Sequence, residues 1–259
     1  LSEIPPPLIK YKPLEHQIPA IQNVVTHFKR EKRGQLVLPC GAGKTLTALW
    51  IKEAMKSKRT LVLLPSLALL KQIKNEWLRH NRQAYRYICV CSEKDIDKDN
   101  YDNYIINKYE IGSRVTTDSL QIQNFIKNNK STVIYSTYQS IQSIINAVKG
   151  TNIKFDLIIC DEAHKTSGSS LKNTFSLVHN NHLIPSKKRL YMTATPKVVS
   201  TKAKSKLSNE EYELICDMSN PDIYGKEAHR LSFGRAIEQN ILVDYEIIGI
   251  GVSDKDLQE

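Results

Sequence analysis

The stretch Gln35-Leu-Val-Leu-Pro-Cys-Gly-Ala-Gly-Lys-Thr-Leu-Thr-Ala-Leu-Trp-Ile51 decides the fold. An apolar run, Gln35–Leu38, reads as a short buried strand. Pro39–Gly43 is a glycine-containing turn, and Lys44–Lys56 carries helical periodicity. Strand, loop and helix in that order are the context a phosphate-binding loop requires. Gly41 and Gly43 permit backbone geometries that aim successive N–H groups at one point, and the helix N-terminus adds partial positive charge there. Lys44 can reach the β- and γ-phosphates of a nucleotide, and the Thr45 hydroxyl can bind Mg²⁺. The nucleotide-contacting set is therefore Cys40, Gly41, Ala42, Gly43, Lys44 and Thr45. The general pattern G-x-x-x-x-G-K-[ST] asks for glycine at position 38, where this chain has Leu38. A G-x-G-K-T string can arise in a loop by chance; the strand before it and the helix after it argue otherwise.

Outward from this stretch the same unit recurs. Thr60–Leu64 precedes a helical Leu67–Leu78, and Thr132–Ser136 precedes Gln139–Val148. Tyr87–Cys91, Phe155–Cys160 and Arg189–Thr193 read as further strands, and a helix at about Glu15–Lys29 leads into the first one. Continuous apolar runs alternating with helices predict an α/β fold, a parallel sheet with helices on both faces. Ser92–Lys108 is polar and reads as an exposed insertion, at about residues 92–110; Thr201–Glu211 reads as a second polar loop.

Asp161-Glu-Ala-His164 ends the run Phe155–Cys160, so Asp161 emerges at the carboxyl edge of a buried strand. In an open parallel sheet that edge is where ligands bind. Asp161 is positioned to hold Mg²⁺ with Thr45, and Glu162 to orient and deprotonate an attacking water. Alone, the tetrapeptide could be a solvated helix start; paired with the Lys44 loop it completes a set for binding and hydrolysing ATP, to which His164 also belongs.

The remaining composition sets bounds. A chain of 259 residues has room for one large domain or two small ones, and its 41% hydrophobic and 25% charged content is that of a globular protein. The net charge of +10 is spread along the chain. It fits either a solvated lysine-rich surface or attraction to a polyanion such as nucleic acid. Five cysteines, Cys40, Cys89, Cys91, Cys160 and Cys216, include no C-x-x-C pair and lie mostly in apolar runs, which argues against disulfides or zinc and for a reducing, cytoplasmic setting. No apolar run approaches the ~20 residues that span a bilayer, and the N-terminus lacks signal-peptide character. The first residue is not Met, so the expectation is a piece of a longer protein.

The Gly41–Thr45 loop, the D-E-A-H tetrapeptide and Thr193-Ala-Thr-Pro196, in that order, resemble the motifs of superfamily 2 DEAH-box helicases and translocases. The resemblance implies a RecA-like ATPase lobe over residues 14–235, after a lead-in at 1–13. It also implies that Gln17 reads adenine, its amide offering the donor and acceptor that the adenine edge needs. Thr193 and Thr195 match the motif that couples hydrolysis to the nucleic-acid surface. Leu64–Leu70 and Ser136–Ser140 resemble the strand-tracking motifs, which makes Ser66, Thr116, Thr117, Thr137 and Gln139 candidate contacts to nucleic acid, equally readable as loop and cap hydroxyls. Tyr138 is placed to stack on a base or to face the core.

Val115–Asp118, Phe175 onward through Pro196, and His229–Ala236 are similar to the large helicases related to type ISP restriction enzymes. That likeness implies double-stranded DNA as the polymer and a second RecA-like lobe as the partner, with residues 236–259 crossing toward it and no membrane involved. The arginine finger of that lobe has no match here, because Gly234-Arg235 sits in the exit segment. Competing readings are an RNA helicase lobe and a nucleic-acid-binding module with a silent ATPase.

Overall fold

The computed structural model describes residues 11–91, 115–169, 174–198 and 215–244. The insertion at 92–110, the 201–211 loop, the segment beyond Asp244 and most of the N-terminal lead-in lie outside them. The chain opens with helix α1 (Gln17–Arg30) and strand β1 (Arg33–Val37), followed by α2 (Lys44–Ala54), β2 (Arg59–Leu64), α3 (Leu67–His80) and β3 (Arg86–Val90). Then come α4 (Ser119–Lys127), β4 (Thr132–Thr137), α5 (Ile141–Val148) and β5 (Phe155–Cys160). Two 3₁₀ turns (Ala163–Thr166, Thr174–His179) flank β6 (Gly168–Ser169) and precede β7 (Ser186–Thr193). The described chain closes with β8 (Ile215–Cys216), α6 (Pro221–Tyr224), β9 (Lys226–Arg230) and α7 (Phe233–Glu238).

Seven strands form one sheet in the order β3-β4-β2-β5-β7-β1-β9, every pairing parallel. Burial explains why the central strands read as unbroken apolar runs. On β2, Val62 and Leu64 face one core while Leu61 and Leu63 face the other; on β5, Leu157 and Ile159 oppose Ile158 and Cys160. The first core is closed by α1, α2 and α3 through Val24, Leu49, Leu70 and Trp77. The second is closed by α4 and α5 through Ile122, Ile126, Ile141 and Ile144. The fold is thus the expected RecA-like P-loop architecture, helices covering both faces. Among the described residues no helix is long and apolar enough to cross a membrane.

Predicted and observed boundaries differ where local chemistry intervenes. Helix α2 stops at Ala54 because Lys56 turns left-handed at φ 52°. Helix α5 starts at Ile141 rather than Gln139, since Ser140 and Ile141 make turn-type bonds back to Thr137 and Tyr138. Helix α4, which the apolar pattern did not reveal, is capped by Asp118, whose Oδ1 accepts from the amides of Leu120 (2.8 Å) and Gln121 (3.3 Å). Strand β9 (Lys-Glu-Ala-His-Arg) is polar because it is an edge strand, paired only with β1.

Two arginines of the sheet, Arg33 on β1 and the 1%-exposed Arg189 on β7, donate mainly to carbonyls rather than to carboxylates, and Arg189 Nε is left buried without a partner. Arg33 donates to the Ile223 and His179 carbonyls, both at 2.6 Å, and Arg189 donates to Ile184 (2.9 Å) and also to His179 (3.4 Å). Desolvation first, and these two cations after it, push the His179 imidazole down to about 3, so it is neutral at physiological pH. Its ring lies 3.0 Å from the Tyr191 hydroxyl and 3.3 Å from the Thr166 carbonyl, which ties the 3₁₀ turns to β7.

Gly225 sets the entry to β9. It adopts φ 75°, its carbonyl accepts from Gln35 Nε2 at 2.8 Å, and a Cβ there would collide with the main chain of Arg33. Gly225→Ala is expected to lower the thermal midpoint by roughly 5–10 °C, because both the left-handed backbone and the β1 contact resist it. Gly234→Ala, in α7 with open space around its Cα, should leave the midpoint within roughly 2 °C. Differential scanning calorimetry of the two variants makes the comparison.

Candidate nucleotide and nucleic-acid site

The order β5-β7-β1 sets three carboxyl ends side by side. Val37 pairs with Thr193 and Cys160 with Tyr191, and the Leu38 amide donates to the Thr193 carbonyl at 3.1 Å. The phosphate loop, the Asp161 turn and the Thr193 motif therefore leave the sheet at one edge.

The loop is held by its neighbours. Gly43 is left-handed at φ 74° and starts α2. Its carbonyl accepts from the Thr47 amide (3.1 Å), the Thr47 hydroxyl (3.0 Å) and Gln17 Nε2 (3.2 Å). A side chain at position 43 would strike the Gln17 amide. His16 Nε2 lies 3.1 Å from the Ala42 carbonyl, and Trp77 Nε1 donates to the Thr45 carbonyl at 2.9 Å. Lys44 folds over the loop and donates to the Leu38 (3.3 Å) and Pro39 (3.4 Å) carbonyls, weak bonds that phosphate oxygens can replace. Cys40 is exposed at the loop's lip.

Gln17, the residue that the resemblance assigns to adenine, also makes contacts within the fold. It is 2% exposed, and its Oε1 accepts from the Leu14 amide at 2.8 Å while its Nε2 reaches Gly43. The amide staples the start of α1 to the phosphate loop.

Asp161 follows Cys160 with its amide donating to the Leu63 carbonyl at 2.9 Å. It is 6% exposed, and Oδ1 is buried without a hydrogen-bond partner. Burial first, and then the Glu162 charge, raise this carboxyl to about 6, while Lys44 pulls it down, which places the ammonium within electrostatic reach. An orphaned carboxylate oxygen in such a setting fits a hard cation. Glu162 is left-handed at φ 46°, which swings the next residue back toward β7. His164 Nδ1 then lies 3.3 Å from Glu162 Oε2 and 3.0 Å from Thr193 Oγ1, which also accepts from the Thr195 amide at 3.1 Å. Burial keeps His164 below the usual imidazole range despite Glu162. One neutral ring thus joins the Asp161 turn to the Thr193 motif. Thr195 itself is exposed.

The candidate contacts to nucleic acid occupy the other half of the edge, at β2, β4 and β3. Ser66 caps α3, its Oγ accepting from the Leu69 amide at 3.3 Å. Gln139 donates to the Pro65 carbonyl at 3.3 Å and so ties the end of β4 to the loop after β2. The Thr116 amide donates to the Cys89 carbonyl of β3, and Thr117 is exposed beside it. Two candidates are corrected. Thr137 is fully buried. Tyr138 is also 0% exposed, stacks on Phe175 with centroids 5.1 Å apart, and donates its hydroxyl to the Asp161 carbonyl at 2.8 Å. It supports the Asp161 turn and presents no face to a base, because the core-facing alternative holds and its ring is stacked inside the core.

Residues 10–198 match the family described as "Type III restriction enzyme, res subunit". The chain belongs to that family. It is a helicase-family domain. The "ATP-dependent Type ISP restriction-modification enzyme LlaBIII bound to DNA" is 34% identical with a TM-score of 0.75, covering 92% of this chain and 16% of that one. A nuclease-deletion mutant of the type ISP enzyme LlaGI, solved with a DNA substrate mimic, is 32% identical with a TM-score of 0.69, covering 89% and 21%. "Probable helicase A859L" of African swine fever virus (isolate Tick/South Africa/Pretoriuskop Pr4/1996) is 27% identical over 222 residues, 85% of this chain and 22% of the relative. The chain therefore spans about a fifth of the length of these relatives.

Burial of the Tyr138 hydroxyl has a measurable consequence. Tyr138→Phe removes one buried hydroxyl bond and is expected to cost about 1 kcal/mol in chemical denaturation, with no change in affinity for a labelled oligonucleotide. A variant that is fully stable yet binds DNA more weakly would return Tyr138 to the surface.

Proposed function

We propose that this domain binds and hydrolyses Mg-ATP as the first motor lobe of a DNA translocase, with duplex DNA tracking across the Ser66–Gln139 half of the sheet edge. The observation that carries the reading is the buried, unpartnered Asp161 Oδ1, held at the same edge as the Gly41–Thr45 loop. The relatives support it: two are described as solved with DNA or a DNA mimic, one of them as ATP-dependent. Five free thiols, four of them buried, suit a reducing cytoplasmic location.

In this reading Gly41, Ala42, Gly43 and Thr45 present main-chain N–H groups to the phosphates, and Lys44 leaves its two carbonyls to follow the β- and γ-oxygens. Thr45 and Asp161 would hold Mg²⁺, which would supply neutralisation of charge on the phosphates. Glu162 orients the attacking water and accepts its proton. The His164–Thr193 contact passes the state of that turn to Thr195 and the nucleic-acid surface. Ser66, Thr116, Thr117 and Gln139 bind phosphate and sugar rather than base edges, so the grip carries little sequence information. A second RecA-like lobe supplies the arginine that stabilises the transition state, an effect worth roughly 10³–10⁵ in rate. A lobe deprived of that arginine should turn over ATP slowly.

Lys44→Ala removes the cation aimed at the β- and γ-phosphates, and should weaken ATP binding roughly tenfold or more. Glu162→Gln should keep ATP affinity while abolishing turnover in the full-length protein, because the amide cannot take the water's proton. Calorimetry with a phosphate-release assay separates the roles; equal loss of binding in both variants would contradict them.

DNA binding should be weak, indifferent to sequence, and steeply weakened by salt as counterions are released. Duplex should bind at least as well as single strands, and RNA should show no advantage. Anisotropy titrations at two salt concentrations test this. A preference for RNA that survives high salt would make the domain an RNA motor instead.

A further inference from the structure

The net charge of +10 is spread along the chain, but the fold gathers much of it on one side. Because every pairing is parallel, the amino ends of the strands form the sheet edge opposite the Gly41–Thr45 loop. Five neighbouring strands, β4-β2-β5-β7-β1, each have an exposed lysine at the entry: Lys130, Lys58, Lys154, Lys187 and Lys32 in that order. Main-chain bonds lock the row in register. The Lys58 carbonyl accepts from the Thr132 amide at 2.7 Å, and the Lys32 carbonyl from the Arg189 amide at 2.9 Å. The carboxyl edge mixes signs instead, carrying Lys165, Lys197 and Arg235 but also Asp118, Glu162 and Glu238.

Folding does not consume this charge. Among the described residues, the side chains of Lys32, Lys58, Lys130 and Lys154 have no hydrogen bond or ion pair. Lys187 is paired with Asp156 Oδ1 at 2.7 Å, and Asp156 Oδ2 accepts from the amides of Lys58 (3.0 Å) and Arg59 (2.9 Å). That carboxylate holds the entry of β2 against β5 and cancels one charge of the row. Glu31, exposed in the turn before β1, is the other acid among these entries. Helix dipoles do not explain the row. A cation in a helix's last turn meets the carbonyl end of the dipole, which accounts for Lys29, Arg79 and Lys127. The effect fades beyond that turn, and the five lysines stand past it, at the strand entries.

We infer that this amino edge is a second DNA-binding surface, where Lys130, Lys58, Lys154 and Lys32 grip the phosphates of a duplex. Strands about 4.8 Å apart spread the five entries over roughly 19 Å. One DNA strand presents a phosphate about every 3.4 Å along the helix axis, so the row spans roughly five or six of them. Point charges on flexible stems suit such a target. The composition is unlike that of a protein interface, whose core favours aromatic side chains and arginine and is depleted in lysine. The exposed apolar residues Leu14, Leu120, Val198 and Phe233 lie on segments at the carboxyl edge. Phosphate contacts carry no sequence information, so duplexes of any sequence should bind alike. DNA as the polymer rests on the proposed function, whereas the location does not.

The test titrates the full chain with labelled duplex over a range of salt concentrations. Lys58→Gln, Lys130→Gln and Lys154→Gln combined should weaken binding roughly tenfold or more and lower the log–log salt slope by roughly 2–3, about 0.9 for each lost phosphate contact. The melting midpoint and Mg-ATP affinity should stay at wild-type values. Asp156→Asn keeps an oxygen for the two amides but removes the opposing charge, and should tighten binding. Wild-type affinity and slope in the triple variant, or no tightening by Asp156→Asn, overturn the inference. Poly-glutamate that binds as tightly as duplex, and is lost in the same triple variant, assigns the row to an acidic protein and also overturns it. Ser66→Ala combined with Gln139→Ala separates the two surfaces. Binding lost there but kept in the lysine variant removes the amino edge and leaves the proposed function standing; the reverse pattern keeps the amino edge and removes the tracking edge. A wild-type chain that binds no duplex at low salt removes both.

Discussion

Parallel pairing of β5, β7 and β1 is the constraint on which the rest of the molecule depends. Strands covered on both faces are mostly apolar along their length, and the polar side chains they do bury, such as Gln35 and Arg189, are spent on hydrogen bonds within the fold, so groups open to a ligand gather where the strands end. The register Val37–Thr193 and Cys160–Tyr191 fixes how those ends line up, and the Leu38–Thr193 main-chain bond continues it one residue past β1. A slip of one residue in β7 would reverse which face each of its side chains meets. It would also carry Thr193 away from His164. The strand order then divides the edge, with the Gly41–Thr45 loop, Asp161 and Thr193 over β5, β7 and β1 and the polar groups Ser66, Gln139 and Thr116 over β2, β4 and β3.

Much of this was legible in the sequence, for a physical reason. Phe155–Cys160 and Thr60–Leu64 are doubly buried and read as strands whatever surrounds them, and a G-x-G-K-T string after such a strand leaves few alternatives. Strand β9 and helix α4 were less visible. The former is an edge strand with solvent on one side, and Lys-Glu-Ala-His-Arg has no apolar pattern to detect. The latter depends on a cap at Asp118 that follows an undistinguished polar stretch.

The site residues separate along a similar line. Backbone-driven features, such as the Gly43 turn and the position of Asp161, follow from local sequence. What a side chain does with its polar atoms depends on contacts distant in sequence. Tyr138 spends its hydroxyl on Asp161, and Gln17 spends its amide on Leu14 and Gly43. Burying either polar group unpaired would cost roughly 1–3 kcal/mol, so the fold pairs the Tyr138 hydroxyl and part of the Gln17 amide internally. The buried Arg33–His179–Arg189 arrangement was equally hidden, because it meets at one carbonyl from three separate elements.

The distribution of thiols has a practical side. Cys89, Cys91, Cys160 and Cys216 are buried, and Cys40 alone is exposed, between Pro39 and the first glycine of the phosphate loop. A maleimide fluorophore added to the native protein is therefore expected to attach at Cys40, the other four thiols being covered by the fold. The molecule comes with a built-in attachment point for a spectroscopic reporter at the very loop whose occupancy an experimenter would follow.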